Sequence, residues 1–156
     1  MPSKLDKNSL KILDFVMNYH RKPNGTKGFT SSIIPCSTKM LPHSKGLAFT
    51  YKIPKELCSS SSNFRASAVL AVFDEVSTYC FMARDKTRRG GVSISLSTEI
   101  LEQCSAEDDV KFVVNVNKIG RSVGFCSMEL RGPDDTIRAR GKHIKFMPMG
   151  ALYGEI

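Results

Sequence analysis

Asp74 and Glu75 form an acidic pair near the middle of FRASAVLAVFDEVSTYCFMARDKTRRGGVSIS, residues 64–95. Val69, Val72, Phe73, Val76, Tyr79 and Cys80 recur around them at the three- and four-residue steps of one helix face, and Ala66, Ala68, Leu70 and Ala71 fill much of the rest. A helix apolar nearly all round is normally buried, and a carboxylate taken out of water needs a partner or a changed pKa. Asp74 is therefore a candidate for chemistry. The same residues admit a plainer account: Ser67, Asp74, Thr78 and Asp85 follow one another at steps of seven, four and seven, the pattern of a narrow solvated stripe. On the helix alone, the stripe is the better account.

Other reactive side chains give less. His20, His43 and His143 lack the spacing of a metal site, and no metal or cofactor is implied. Cys36, Cys58, Cys80, Cys104 and Cys126 contain no CxxC, and their odd number leaves one unpaired in any disulfide scheme, so they read as reduced, mostly buried thiols. A net charge of +8 favours polyanions: nucleic acid, an acidic membrane surface or a phosphate-bearing small ligand. The positive residues gather at Arg84, Lys86, Arg88 and Arg89, and at Arg138, Arg140 and Lys142, which share one face if their segment is a strand. By itself that face reads as a solvated surface.

The elements that must position these groups are legible in outline. The 156 residues suffice for one self-supporting domain. No apolar run reaches the roughly 20 residues of a membrane span, and Met1–His20 lacks the form of a secretory signal, which predicts a soluble intracellular protein. Residues 5–20 pattern as an amphipathic helix ending before Pro23-Asn24-Gly25; residues 24–45 read mainly as loop, with a short strand near Thr30–Ile34. Leu47, Phe49, Tyr51 and Ile53 alternate as a half-buried strand, and Cys58–Asn63 supplies several polar N-caps for the central helix. After Gly90-Gly91, Val92, Ile94 and Leu96 alternate with Ser93, Ser95 and Ser97, predicting an apolar face and a row of hydroxyls. Strands follow over Val110–Val116, Val123–Leu130 and Ile137–Met147, separated by tight turns. This order predicts an α+β fold, an antiparallel sheet wrapped around one long helix.

VFDEVST (72–78), GGVSISL (90–96), KIGRSVGF (118–125) and IRARGKH (137–143), taken in order, resemble the hotdog-fold acyl-CoA thioesterases, in particular the phenylacetate-type branch that includes the thioesterase superfamily proteins. The resemblance spans residues 46–147, and implies a division into an N-terminal extension (1–45), a hotdog domain (46–147) and a tail (148–156). It implies that Asp74 matches the acidic helix residue and Ser93 the strand serine that places the attacking water. The family's His-Gly-Gly turn is replaced by Arg65-Ala66-Ser67, with Ala66 at the first glycine. Ser59 falls where an Asn often supports the thioester carbonyl, with Asn63 nearby as a substitute. An oxyanion contact through a backbone N–H survives this replacement, since Ala66 has one.

The implied activity is acyl-CoA hydrolysis, with Asp74 as base, its pKa raised by partial burial against Phe73 and the acyl channel, and Glu75 as the fallback. The Ala66 N–H is the donor. Eight helical residues separate the two, roughly 12 Å at 1.5 Å per residue, too far to act on one carbonyl. A homodimer, or a dimer of such dimers, with two central helices antiparallel across a two-fold axis resolves this, each site being shared between subunits. Arg121, Arg138, Arg140 and Lys142 are the implied contacts for coenzyme phosphates. The cytoplasm is the expected compartment, with a mitochondrial address left open by Lys4, Lys7 and Lys11. Two rivals stand beside this reading: a hotdog domain that binds acyl-CoA or a protein without turnover, and, well behind, a basic nucleic-acid-binding module, which lacks an interleaved aromatic platform.

Overall fold

The computed structural model describes residues 32–34, 39–43 and 46–149, with Lys7, Lys11 and Asp14 as isolated positions. Those last three are helical and exposed, and the rest of the helix expected over 5–20 lies outside the described residues. Six strands form one sheet: β1 (Lys39–His43), β2 (Gly46–Lys52), β3 (Val92–Ile100), β4 (Asp109–Ile119), β5 (Val123–Arg131) and β6 (Ile137–Phe146). Their order across the sheet is β1-β2-β4-β5-β6-β3, and every pairing is antiparallel. The long helix α1 (Ala66–Arg84) packs on one face of that sheet.

Alternation in β2 comes out as patterned, with Leu47, Phe49, Tyr51 and Ile53 all buried. Phe112 of β4 lies at the centre of an aromatic cluster, its ring edge-on to Tyr51 at 5.2 Å, to Phe73 at 5.4 Å and to Phe64 at 6.5 Å. Each such fully buried side chain contributes roughly 1.5–3 kcal/mol of apolar burial. These contacts fix which face of α1 meets the sheet: Val69, Val72, Phe73, Val76 and Cys80 are all buried. By length and composition α1 is apolar enough to cross a membrane, but 61 % of its most apolar window is buried within the fold, as a core helix requires. Cys58, Cys80, Cys104 and Cys126 are free and buried, as expected.

Three local expectations need correction. Ser32 and Ile33 are helical rather than extended, and Ile33 is tied down by the Tyr51 hydroxyl, which donates to its carbonyl at 2.5 Å. Residues 39–43, read as loop, form β1 because they pair with β2 from Lys39 opposite Thr50 to His43 opposite Gly46, a partnership that local composition does not announce. None of the polar residues of 58–63 caps α1; Arg65 occupies the N-cap position, with no side-chain cap, and its Nε donates instead to the Cys58 carbonyl at 3.0 Å.

A fourth correction bears on the chemistry. In β3, Ser93 pairs with Lys145 and Ser95 with Ile144, so two β3 residues oppose one β6 residue at a bulge. Ser93 therefore turns to the helix side, while Ser97, opposite Lys142, turns away from it. The expected single row of hydroxyls is split between two faces, and Val92 and Ile94 are 54 % and 59 % exposed rather than buried.

The far end of α1 is clasped by Asp85 and Arg89. Asp85 accepts from Arg89 Nη2 at 2.8 Å and Nε at 3.0 Å, and from the Thr87 hydroxyl at 2.7 Å. Arg89 Nη1 also donates to the Arg121 carbonyl at 2.8 Å and the Met147 carbonyl at 3.0 Å, joining the helix end to the β4–β5 turn and the end of β6. Burial disfavours the Asp85 carboxylate, but the hydrogen bonds from Arg89 and Thr87 outweigh it and hold the group well below the usual carboxylate range. Two of the four basic residues of this turn are thus structural: Arg88 Nη1 donates to the Ala83 carbonyl at 2.6 Å, satisfying one of the helix's last acceptors.

Two outcomes follow for stability. Asp85→Asn should cost about 1–3 kcal/mol in urea unfolding, because it takes the counter-charge and charge-assisted hydrogen bonds from the half-buried Arg89. Since the Asp85 pKa is lowered on folding, the wild-type clasp is fully present above about pH 4 and is lost as pH falls through its folded value; the variant should lack that acid-side dependence. At Gly124 on β5 an added Cβ would lie 2.6 Å from Phe81 Cε1, in a ring that is fully buried. Gly124→Ala should therefore destabilise by about 1–3 kcal/mol, read as a lowered denaturant midpoint with unchanged slope.

Candidate active site

Asp74 lies midway along α1, and its carbonyl anchors two neighbours one turn later: it accepts from the Ser77 hydroxyl at 3.1 Å and the Thr78 hydroxyl at 2.8 Å. Two strands then reach the helix. From β6, alternation turns Ala139, His143 and Lys145 inward as buried residues, leaving Arg140 and Lys142 exposed on the other face. From β3, the bulge delivers Ser93.

His143 joins these elements. Its Nδ1 lies 2.7 Å from Ser77 Oγ, its Nε2 lies 2.8 Å from Ser93 Oγ and 3.7 Å from Asp74 Oδ1, and its ring stands edge-on to Phe81. The side chain is completely buried. Burial, reinforced by the neighbouring Lys145 ammonium and opposed by Asp74, pushes the imidazole down to about 4, so it is neutral at physiological pH. Its contact with Asp74 is then not an ion pair. Lys145, also buried, donates from Nζ to the Thr78 hydroxyl at 2.6 Å, and burial lowers its pKa against the pull of Asp74 and Glu75.

Asp74 itself is not enclosed. Its side chain is 46 % exposed in the single chain, a partial burial. Phe73 points into the core, against Phe112. The fallback base, Glu75, accepts from the Tyr79 hydroxyl at 3.1 Å.

The start of α1 presents the other half of the predicted machinery. Ala68 N and Val69 N are the first donors to close onto the Arg65 carbonyl, at 2.9 and 3.0 Å, which leaves the N–H groups of Ala66 and Ser67 ahead of the helical ladder. Both residues are exposed. Just before them, Ser59 and Asn63 close a tight loop: Ser59 N donates to the Asn63 carbonyl at 2.8 Å, and Asn63 Nδ2 reaches Ser61 Oγ at 3.4 Å. Asp74 and Ser93 thus converge on one ring nitrogen, whereas Ala66, Ser67, Ser59, Asn63 and Arg65 cluster at the helix start, about two turns away.

The basic residues are placed differently. Arg138 is engaged in ion pairs with Glu102 and with Asp134, the latter at 2.8 Å. Arg140 and Lys142 line a groove of about 530 Å³ with Ser97, Glu99, Asn115 and Glu129, on the sheet face turned away from α1. The sheet separates that groove from Asp74, and its charges are of both signs. Arg121 is exposed in the β4–β5 turn.

Ser77 and Lys145 were not singled out from the sequence, and His143 and Thr78 were read there only as a histidine without metal-site spacing and as part of a solvated stripe. Their signals were present: His143 and Lys145 occupy the alternate positions to Arg140 and Lys142, and Ser77 and Thr78 fall three and four residues after Asp74. What the sequence lacked was the distance between helix and strand.

Residues 66–139 match the family described as the thioesterase superfamily. No match is found among curated proteins. Among solved structures, zebra fish thioesterase superfamily member 2 superimposes with a TM-score of 0.75 at 19 % identity, covering 87 % of this chain and 98 % of that one. The PaaI protein of E. coli, from the phenylacetic acid degradation operon, gives 0.75 at 10 % identity over 95 % and 99 % of the two chains. A hypothetical thioesterase protein of Streptococcus pneumoniae, solved with coenzyme A, gives 0.68 at 12 % identity over 78 % and 92 %. Identities this low speak for the fold alone, and the family match adds the helix bearing Asp74 and the strands that follow it. Among the described residues, a single long helix on a six-stranded antiparallel sheet is the form these proteins share: the chain has the hotdog fold, and its residues 66–139 match the thioesterase superfamily.

Proposed function

We propose that the chain hydrolyses acyl-CoA thioesters. The observation that carries this reading is the convergence of Asp74 Oδ1 and Ser93 Oγ on His143 Nε2, at 3.7 and 2.8 Å, at the exposed middle of α1. A water held there loses a proton to the Asp74 carboxylate as its oxygen bonds to the thioester carbonyl carbon. The negative charge that forms on the carbonyl oxygen is met by the Ala66 N–H at the positive end of a helix, and Ser67 N–H is a second donor in the same turn. Collapse of the intermediate breaks the carbon–sulfur bond, and the proton on Asp74 passes to the leaving thiolate, giving the free acid and coenzyme A. That a structural neighbour was solved with coenzyme A supports the choice of ligand.

Asp74 and Ala66 of one helix cannot serve one carbonyl, so the reading requires a second copy of the chain. Support comes from β3, an edge strand with Val92 and Ile94 more than half exposed. Pairing of two such edges would extend the sheet, bring the α1 helices side by side and enclose Asp74. Arg121 remains exposed for coenzyme phosphates; Arg140 and Lys142, across the sheet from Asp74, and Arg138, held in its ion pairs, are withdrawn from that set.

Binding without turnover is the second reading, favoured by Arg65, whose side chain packs back on the Cys58 carbonyl where the family has a compact His-Gly-Gly turn. The ion pairs of Arg138 and the two glutamates in the outer groove break up the basic stripe that a nucleic-acid module would need.

Release of free thiol from short, medium, long and aromatic acyl-CoAs, by the wild type and by Asp74→Asn, separates these readings. Hydrolysis by the wild type and a loss of about 10²–10⁴-fold in kcat for the still-folded variant is the expected result. Equal turnover by both places the base elsewhere, and saturable binding with no thiol release establishes the binding domain instead.

A further inference from the structure

We infer that His143 is a positioning residue that sets the direction of the Ser93 hydroxyl, through a one-way chain of hydrogen bonds running from β3 across β6 into α1. This rests on the hydrolytic reading given above. Ser77 has one hydroxyl hydrogen and two neighbours within reach, the Asp74 carbonyl at 3.1 Å and His143 Nδ1 at 2.7 Å. A carbonyl only accepts. If Ser77 donates to it, Nδ1 must carry the hydrogen that Ser77 accepts, a neutral ring then has a bare Nε2, and Ser93 donates to that nitrogen at 2.8 Å. All three bonds are made. In the reverse order Ser77 donates to Nδ1, the Asp74 carbonyl loses the Ser77 hydrogen bond, and only two of the three survive. Asp74 Oδ1, 3.7 Å from Nε2, is beyond hydrogen-bond length and does not claim a ring hydrogen.

The consequence is at Ser93. With its only hydrogen committed to His143, its oxygen faces the site as an acceptor. A water that gives one hydrogen to Ser93 and the other to Asp74 has its remaining lone pairs free for attack. The same constellation of an exposed serine, an imidazole and a third orienting group suggests a second role, Ser93 as a nucleophile with His143 as its base. The environment decides between them. An imidazole pushed down to about 4 by burial and by Lys145 is a poor base near pH 7, so the chain orients a hydroxyl without ionising it. The charged groups facing the ring, Asp74 from α1 and Lys145 from β6, leave it neutral on balance.

The test couples residue to residue. Kinetics of thiol release are measured for Ser93→Ala, His143→Ala and the double variant, with His143→Gln as the conservative replacement whose side-chain carbonyl supplies an acceptor near the Nε2 position. Each alanine variant is expected to lower kcat about tenfold, with KM nearly unchanged, and the double variant is expected to be no slower than Ser93→Ala alone. His143→Gln is expected to recover part of the loss. Additive losses, or a loss confined to KM, overturn the inference, because a merely structural histidine has no reason to act through Ser93. Nitrogen NMR of the wild-type ring gives a reading that needs neither catalysis nor a variant that folds: Nε2 is expected to be the unprotonated nitrogen, and a hydrogen on Nε2 overturns the chain. Should the wild type release no thiol at all, the hydrolytic reading fails, and the ring tautomer alone then decides whether the relay exists.

Discussion

Burial of two polar β6 side chains beneath an otherwise apolar helix is the constraint on which the rest of this structure depends. His143 and Lys145 are inward residues of a central strand, and neither reaches water. A buried imidazole or ammonium without partners costs several kcal/mol, so α1 must cross β6 where Ser77 and Thr78 come opposite them. Apolar packing around Phe112 and these hydrogen bonds act together. They set the rotation of α1 about its axis, and that rotation brings the Asp74 side chain out to solvent beside Ser93.

The same constraint explains why polar and apolar parts of the fold are interlocked rather than layered. Phe81 packs both on the His143 ring and on the bare backbone of Gly124, so the approach of helix to sheet is limited by a glycine on β5 at the point where the histidine is held. The Arg89 clasp fixes the helix end to the carbonyls of Arg121 and Met147, one at the β4–β5 turn and one just after β6. Helix position is therefore determined at both its polar middle and its C-terminus. The site is open in the protomer, since the Asp74 side chain is nearly half exposed.

The β3 bulge is the other deciding feature. A regular strand would have aligned Ser93, Ser95 and Ser97 on one face, as their spacing implied. One extra residue in β3 reverses the alternation after Ser93, so of the three serines Ser93 alone is directed to the helix side, while Ser97 lines the polar outer groove. Ser93 thereby acquires a histidine partner fifty positions away in sequence.

The sequence by itself determined the long central helix, the strand alternation around Phe49 and Tyr51, the turns, and so the α+β class, because these follow from periodicities of 3.6 and 2 that local side chains impose; the hotdog fold was implied by the resemblance of its ordered motifs. It also marked Asp74, as a carboxylate in an apolar helix. Tertiary structure alone decided what accompanies Asp74: His143 looked like one more residue of a basic strand, and Ser77 like one more helix serine, until packing placed them 2.7 Å apart. It likewise turned Arg138 from a candidate phosphate ligand into the partner of Glu102 and Asp134. A side chain's type is written in the sequence, but its hydrogen-bond partner depends on the angle and distance between elements, which only the packed core fixes.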